Sequence, residues 1–211
     1  MTAAGNEQDI AFMGRAIELA QERMGQTWPN PAVGCVIVKD GVVVAEAATA
    51  PGGRPHAEEQ AVPAAGDAAK GATAYVTLEP CGARSSGRKS CSHFLTDAGI
   101  ARVVIGAFDP SPFASGRGVE RLRSEGLQVD AGVLEAEALA LCEGFLHRLK
   151  TGRPMVRTSI DGKGFDARFA ASSRSDLAGE LMRLGEAGYT RVWVAEGELA
   201  DALRAQGLLT E

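Results

Sequence analysis

Short runs of β-branched and apolar residues alternate with segments of helical periodicity along most of the chain. Ile10, Met13 and Ile17 recur at intervals of three and four, which predicts an amphipathic helix over residues 9–24. Two β-branched runs on either side of Asp40-Gly41 predict a hairpin. Further helices are predicted at 56–69, 91–98, 118–126 and 135–150, and further strands at 72–80, 102–109 and 127–134. Strands that alternate with helices are typical of a layered α/β domain.

The last sixty residues repeat this alternation on a smaller scale, with strand-like PMVRTSI and TRVWVA and helix-like DLAGELMRLGEAG and LADALRAQG. A length of 211 residues suits one domain of about 150 residues with an appendage. The turn-rich stretch Thr151-Gly152-Arg153-Pro154 is the predicted boundary. We therefore expect a main domain over 1–150 and a small α/β appendage over 151–211.

Charge and hydropathy exclude several classes of protein. The 22 basic and 27 acidic residues give a net charge of −5, which argues against a general nucleic-acid binder. The apolar runs are far shorter than the ~20 residues that cross a bilayer, and no basic segment precedes an apolar run at the N-terminus. We expect a cytoplasmic protein with no membrane or nucleic-acid partner, whose four cysteines are thiols or metal ligands.

Three residues with metal-binding side chains form the most informative pattern. His56 is followed by Cys81 and Cys91, with nine residues between the two cysteines. A catalytic zinc site uses three protein ligands and keeps the fourth position open, and one imidazole with two thiolates meets that requirement. Helices predicted to begin at His56 and Cys91 would direct their positive ends at the site and stabilise thiolates. We predict one Zn²⁺ per chain.

Glu58 lies two residues after the predicted histidine ligand. At that spacing its carboxylate can face an activated water, take its proton and pass it to a departing amine, as a general acid and base does. These motifs follow one another in the same order as in the zinc nucleobase deaminases. In those enzymes two residues separate the ligand cysteines, whereas nine separate Cys81 and Cys91. Cys35 and Cys142 lie in apolar segments and are predicted to be buried structural residues.

At these motifs the chain resembles the cytidine-deaminase-like superfamily and, within it, the deaminase domain of the bifunctional riboflavin biosynthesis (RibD) proteins. The matching stretches, within about residues 10–155, include WPNPAVGCVIVKDG, PHAEEQAV, GATAYVTLEPC and GIARVVIGAFDPSP. The resemblance implies a three-layer α/β/α fold with a central mixed sheet. It also implies zinc on His56, Cys81 and Cys91, Glu58 as proton shuttle, and hydrolytic loss of an amino group from a diaminopyrimidinone ribosyl phosphate.

The same resemblance implies how the ring is held, and the loop between the two ligand cysteines supplies charge for a phosphate. Asn30 matches the asparagine that holds the ring, and an amide can donate to and accept from a heterocycle at once. The backbone N–H groups after His56, beginning with that of Ala57, could also donate to the ring. Arg84, Arg88 and Lys89 carry the positive charge that a phosphate needs.

Two departures from the family keep alternatives open. The loop CGARSSGRKSC lacks the histidine and the prolines usual between the ligand cysteines, so deamination of guanine or of another amino-purine or pyrimidine is the main alternative. A non-catalytic module with the deaminase fold is the other. The tail resembles only the opening and the close of a reductase domain, which predicts a remnant without redox activity and, if the chain acts in riboflavin biosynthesis, a separate reductase. We also expect a homodimer.

Overall fold

The computed structural model describes residues 7–83, 87–111, 114–171 and 175–210. The chain divides into two compact units, and each draws on separate stretches of sequence. The first comprises the chain up to Glu22, Val33–Ala50 and Pro55–Leu141; the second comprises Arg23–Ala32, Pro51–Arg54 and the chain from Cys142 onward. The predicted boundary near residue 150 thus falls inside the second unit, which also takes in two short stretches from the N-terminal part of the chain.

The first unit is built on a five-stranded mixed sheet, as predicted. The strands are β1 (Gly34–Lys39), β2 (Val42–Ala48), β3 (Thr73–Leu78), β4 (Arg102–Ala107) and β5 (Gln128–Ala131). Their spatial order is β2-β1-β3-β4-β5, with β1 antiparallel to both of its neighbours and β3, β4 and β5 parallel to one another. The ends of the parallel strands therefore meet at one edge, where the loops after β3 and β4 begin.

Helices cover this sheet because its central strands are apolar on both faces. Nearly every residue of β1, β3 and β4 is buried, which requires packing partners above and below the sheet. The helices are α1 (Glu7–Gln21), α2 (Ala57–Ala65), α3 (Cys91–Asp97), α4 (Arg117–Ser124) and α5 (Glu135–Thr151), which continues into the second unit. The helix α1 packs on β1 and β3, and α2 packs on β1 and β2.

Several predicted helices end or face differently in the structure. The helix α2 ends at Ala65 because Gly66 takes φ +53°, and a short 3₁₀ turn, Gly66–Ala69, completes the predicted segment. In α1, Ile10 was expected on the buried face but is 44% exposed. The spacing of apolar residues in α5 predicts one buried face made of Leu139, Cys142, Leu146 and Leu149. That prediction is wrong at Leu139 and Leu149, which are exposed, whereas Ala138, Leu141 and Cys142 are buried.

The second unit has a small parallel sheet of three strands in the order β6-β8-β7. Its elements are β6 (Met155–Thr158), β7 (Ala167–Arg168), α6 (Leu177–Glu186), β8 (Arg191–Val194) and α7 (Glu198–Ala205). Val156, Leu181 and Val192 belong to its own buried apolar cluster. In the described part of the chain, no helix has both the length and the apolar character needed to cross a membrane.

Candidate active site

The three predicted metal ligands converge in the first unit. His56 Nδ1 lies 3.3 Å from Cys91 Sγ, and the ligand atoms of His56, Cys81 and Cys91 all lie within 4.8 Å of one another. Tetrahedral zinc with its usual bond lengths separates such ligand atoms by about 3.5–3.8 Å. One imidazole and two thiols at these distances therefore fit a single zinc ion that keeps one position open.

Two helix starts and one strand end bring these ligands together. His56 immediately precedes α2, and its backbone N–H donates to Glu59 Oε2 over 2.8 Å. Cys81 follows β3 closely, and the backbone N–H of Cys91, the first residue of α3, donates to Cys81 Sγ over 3.3 Å. An N–H donor at a helix start favours the thiolate form of a cysteine, which is the form that binds metal.

Glu58 occupies the first turn of α2 and is only 3% exposed. Burial raises the pKa of its carboxyl group, and the interaction with His56 opposes that rise in part. A carboxyl group whose pKa is moved toward neutrality can both take and give a proton near neutral pH. The position and surroundings of Glu58 therefore suit a proton carrier.

Glu79 belongs to the informative motif around Cys81, but sequence reasoning gave it no role of its own. It is 4% exposed, and its carboxylate accepts from the backbone N–H groups of Gly116 over 3.1 Å and Gly118 over 3.2 Å. A Cβ on Gly118 would lie 1.8 Å from the carbonyl oxygen of Pro80, so the start of α4 approaches this loop as only glycine allows. Glu79 and Gly118 thus fix the backbone that leads directly into Cys81.

Asp109, after β4, is a second residue without a predicted role. It is 8% exposed, and it accepts from both the backbone N–H and the hydroxyl of Ser111, over 2.8 and 2.9 Å. Burial raises the pKa of its carboxyl group, and the hydrogen bonds from Ser111 oppose that rise in part. An acidic residue at the end of a parallel strand was the available signal, although no spacing rule connects it to the metal ligands.

The predicted substrate contacts have varied surroundings. Asn30 belongs to the second unit, where its Nδ2 donates to the carbonyl oxygen of Gly53 over 2.8 Å. Ala57 is fully buried at the start of α2. Arg88 is exposed, while Lys89 pairs with Asp97 and lies over the Phe94 ring. Arg84 lies outside the described residues. All five remain predictions as substrate contacts.

The two other cysteines are fully buried, as predicted. Burial raises the pKa of the Cys35 thiol well above its usual value, and the nearby negative charge of Glu58 adds to that rise. A buried thiol of this kind is unreactive. Cys35 therefore lies beneath the site as a small apolar residue.

A comparison with protein families matches this architecture. Residues 6–107 match the sequence model of the cytidine and deoxycytidylate deaminase zinc-binding region. That stretch contains every predicted zinc ligand and Glu58. Residues 6–107 form a cytidine-deaminase-like domain. Zinc is the metal of the matched region and the metal that the grouped His56, Cys81 and Cys91 fit, which confirms the predicted cofactor.

Within the cytidine-deaminase-like superfamily, curated relatives include riboflavin biosynthesis proteins. The chain is 47% identical over 166 residues to the riboflavin biosynthesis protein RibD of Escherichia coli K12, which covers 79% of this chain. It is 42% identical over 192 residues to the chloroplastic riboflavin biosynthesis protein PYRD of Arabidopsis thaliana, which covers 87% of this chain. The chain spans 45% of the length of each of these two relatives.

Solved structures of RibD proteins have the same fold. RibD of Acinetobacter baumannii has a TM-score of 0.79 at 28% identity, over 96% of this chain and 84% of that one. The diaminohydroxyphosphoribosylaminopyrimidine deaminase/5-amino-6-(5-phosphoribosylamino)uracil reductase of Thermotoga maritima has a TM-score of 0.80 at 27% identity, over 93% and 82% of the two chains. The predicted superfamily, its fold and the resemblance to RibD proteins are confirmed.

Proposed function

We propose that the chain is a hydrolytic deaminase that removes an exocyclic amino group from a diaminopyrimidinone ribosyl phosphate, in riboflavin biosynthesis. The observation that carries this proposal is the convergence of His56, Cys81 and Cys91 within 4.8 Å, with buried Glu58 two residues from the first ligand. The identity with riboflavin biosynthesis proteins supports the choice of substrate. Guanine or another amino-heterocycle is the alternative substrate that the altered loop keeps open.

The proposed reaction exchanges an amino group for oxygen at a ring carbon. Zinc, when held by His56, Cys81 and Cys91, lowers the pKa of a water molecule and so supplies a nucleophile near neutral pH. The Glu58 carboxylate takes a proton from that water as its oxygen bonds to the ring carbon. It then gives a proton to the amino nitrogen, the C–N bond breaks, ammonia leaves, and Glu58 is again ionised.

Substrate recognition in this proposal uses the ring contacts that the family resemblance implied and the basic residues of the altered loop. Asn30 holds the ring through its amide, and the N–H of Ala57 contributes a backbone donor. Arg84, Arg88 and Lys89 hold the phosphate. Lys89 would exchange its ion pair with Asp97 for the phosphate, which costs little because both side chains are about half exposed.

The substrate assignment is tested by ammonia release from the phosphorylated compound and from its dephosphorylated form, with the zinc-loaded protein. Turnover of the phosphorylated compound, with kcat/KM for the dephosphorylated form at least about tenfold lower, is the expected result. Equal turnover of both compounds would contradict the proposed phosphate contacts. Turnover of guanine in place of both would move the chain to the alternative substrate class.

The second unit is proposed to have no redox activity. A crevice of about 390 Å³ lies beside Val194 and the start of α7, and it is lined by the guanidinium of Arg168 and by the carboxylates of Glu196 and Glu198. The two carboxylates outnumber the one guanidinium there, so they disfavour the phosphates of a dinucleotide and weaken the attraction of the helix start. Addition of NADPH should therefore give no saturable change in nicotinamide fluorescence, and the reduction that follows deamination is assigned to a separate protein.

The remaining parts of the proposal concern assembly and location. We propose a homodimer in the cytoplasm, without nucleic-acid or membrane partners. Sedimentation velocity at micromolar concentration should give one species of about twice the mass of the 21.9 kDa chain. A single species at the mass of one chain would contradict the dimer.

A further inference from the structure

The N-terminal segment 23–32, which carries Asn30 and is called the Asn30 segment below, folds with the C-terminal part of the chain. We propose that the second unit braces this segment, with Tyr189 and Arg148 as positioning residues for the deamination. The inference rests on the proposed function, because it assumes that Asn30 contacts the substrate. It gives the second unit a task that requires no redox chemistry.

The first contact of the brace is an aromatic stack. The rings of Trp28 and Tyr189 have centroids 4.3 Å apart and planes inclined by 22°, which is stacked geometry. Gly188, immediately before Tyr189, has φ +102°, and a Cβ there would lie 2.9 Å from Pro29 Cβ. The turn after α6 therefore lies against two consecutive residues of the Asn30 segment, at a distance that favours glycine.

The second contact is polar. The guanidinium of Arg148, on α5, donates to the carbonyl oxygen of Pro29 and to that of Gly185, each over 3.2 Å. One side chain thus ties the Asn30 segment to the end of α6. Because a guanidinium is planar and its donors are fixed in a fork, these two bonds set direction as well as distance.

The same segment is also held on either side of Trp28. A Cβ on Gly25 would lie 2.5 Å from the carbonyl oxygen of Phe165, so the two backbones touch. The carbonyl oxygen of Gln26 accepts from the N–H of Gly52 over 2.8 Å. At the far end, Asn30 Nδ2 donates to Gly53, which orients the amide itself. The contacts at Trp28 and Pro29 are those that α5 and the turn after α6 supply.

These contacts imply a catalytic consequence because a group that orients a substrate must be placed within a fraction of an ångström. A displacement of about 1 Å far from the reacting bond can cost 10²-fold in rate. Loss of the stack should let Trp28 and Pro29 move while the zinc ligands, which belong to the first unit, stay in place. The expected defect is therefore in catalysis and not in zinc binding.

The experiment compares full-length, zinc-loaded Tyr189→Ala and Tyr189→Phe with the wild type. Tyr189→Ala should lower kcat/KM for the diaminopyrimidinone ribosyl phosphate by about tenfold or more at wild-type zinc content. Tyr189→Phe keeps the stack and should remain within about twofold of the wild type. In a Trp193→Phe background, which leaves Trp28 as the only tryptophan, emission should shift to the red in Tyr189→Ala and not in Tyr189→Phe.

Leu208→Ala is the matched control, because Leu208 packs on the same apolar cluster as Tyr189. It should lower thermal stability without a loss of kcat/KM. Wild-type kcat/KM in Tyr189→Ala despite the red shift would overturn this inference and leave the proposed function intact. An equal loss of kcat/KM in Leu208→Ala would do the same. If Tyr189→Ala does not fold, Arg148→Met should lower kcat/KM in the same direction. A zinc-loaded wild type that releases no ammonia overturns the proposed function and this inference with it.

Discussion

At the scale of single residues, the four cysteines divide into two that converge with His56 and two that are buried elsewhere. Cys81→Ser should lower zinc content from about one per chain to well below it, since a hydroxyl is a much weaker zinc ligand than a thiolate. Cys142→Ala should keep the full zinc content, because Cys142 lies outside the ligand group. Metal analysis after gel filtration measures both, and equal zinc contents would contradict the assigned ligands.

Glu79 is the second residue whose role can be tested. Glu79→Ala leaves the buried N–H of Gly118 and that of Gly116 without their acceptor, and each such loss costs about 1–3 kcal/mol. We expect the free energy of unfolding in urea to fall by about 2–4 kcal/mol, with a smaller fall in Glu79→Gln, which keeps one acceptor oxygen. Glu120 is exposed on α4, the helix that contains Gly118. Glu120→Ala should lower the free energy of unfolding by less than about 1 kcal/mol. Equal effects of the two alanine variants would contradict this role.

These two cases indicate how far a sequence can predict a site. His56, Glu58, Cys81 and Cys91 are recognisable because the chemistry of zinc dictates both residue types and order. Glu79 is adjacent to that motif, yet its partners Gly116 and Gly118 lie far along the chain. A hydrogen bond between such distant residues leaves no periodic signal, so the role of Glu79 becomes visible only in the fold.

At the scale of elements, one polar network ties α1 to the sheet. Buried Asp9 accepts from the hydroxyl of Tyr75 on β3 over 2.8 Å, and Arg102 on β4 contacts both of its oxygens over 2.8 and 2.9 Å. Arg102 also donates to Asp130 on β5 over 2.7 Å. The network joins one helix and three strands, and it explains why an acidic residue is buried in the first turn of α1.

This network predicts a dependence of stability on alkaline pH. Burial, followed by the hydrogen bond to Asp9, raises the pKa of Tyr75 to about 12. An unfolded tyrosine ionises near pH 10, so between about pH 10 and 12 the folded chain holds a proton that the unfolded chain has lost. Stability from this group is therefore complete below pH 10 and is lost as the pH rises through 12.

Tyr75→Phe should remove that contribution. At pH 8 the variant should be less stable by about 0.5–1.5 kcal/mol, the usual value of one hydrogen bond. Between pH 10 and 12 the difference from the wild type should shrink, because the phenylalanine has no proton to lose. Urea unfolding of both proteins across this range measures the difference, in which lysine titration cancels. A difference that stays constant with pH would contradict the raised pKa.

The elements themselves were largely predictable, and their faces were less so. Periodicity places α1, the hairpin and β3 within a few residues of their observed bounds. Periodicity does not predict the buried face of α5, because Leu139 and Leu149 are exposed, whereas the smaller Ala138 packs close to Gly106. At Gly106 of β4 the helix makes its nearest contact through a small residue. Hydrophobicity alone therefore does not predict which face of this helix is buried.

At the scale of the whole molecule, the chain order does not follow the two units. Residues 23–32 and 51–54 fold with the C-terminal part although they precede most of the first unit. Their sequence, rich in proline and glycine, predicts loops, and a loop pattern carries no information about its packing partner. The contacts of Trp28, Gly25 and Asn30 within the second unit were therefore beyond sequence reasoning.

Zinc should stabilise the molecule by mass action, because the unfolded chain has no preformed site. Removal of zinc by a chelator should lower the melting temperature by several degrees, since free zinc at 100 times its Kd contributes about 2.7 kcal/mol. Readdition of zinc should restore the melting temperature, whereas magnesium should not, because it prefers oxygen ligands. A melting temperature that does not change with zinc would contradict the assigned centre.

The central claim is a zinc-dependent deamination in which Glu58 carries the proton, and Glu58→Gln tests it most directly. Ammonia release from the diaminopyrimidinone ribosyl phosphate is measured beside zinc content for the wild type and the variant. The account predicts turnover by the wild type and a loss of about 10²–10⁴-fold in kcat in Glu58→Gln, with equal zinc content in both proteins. Undiminished turnover by Glu58→Gln with its zinc in place would contradict it.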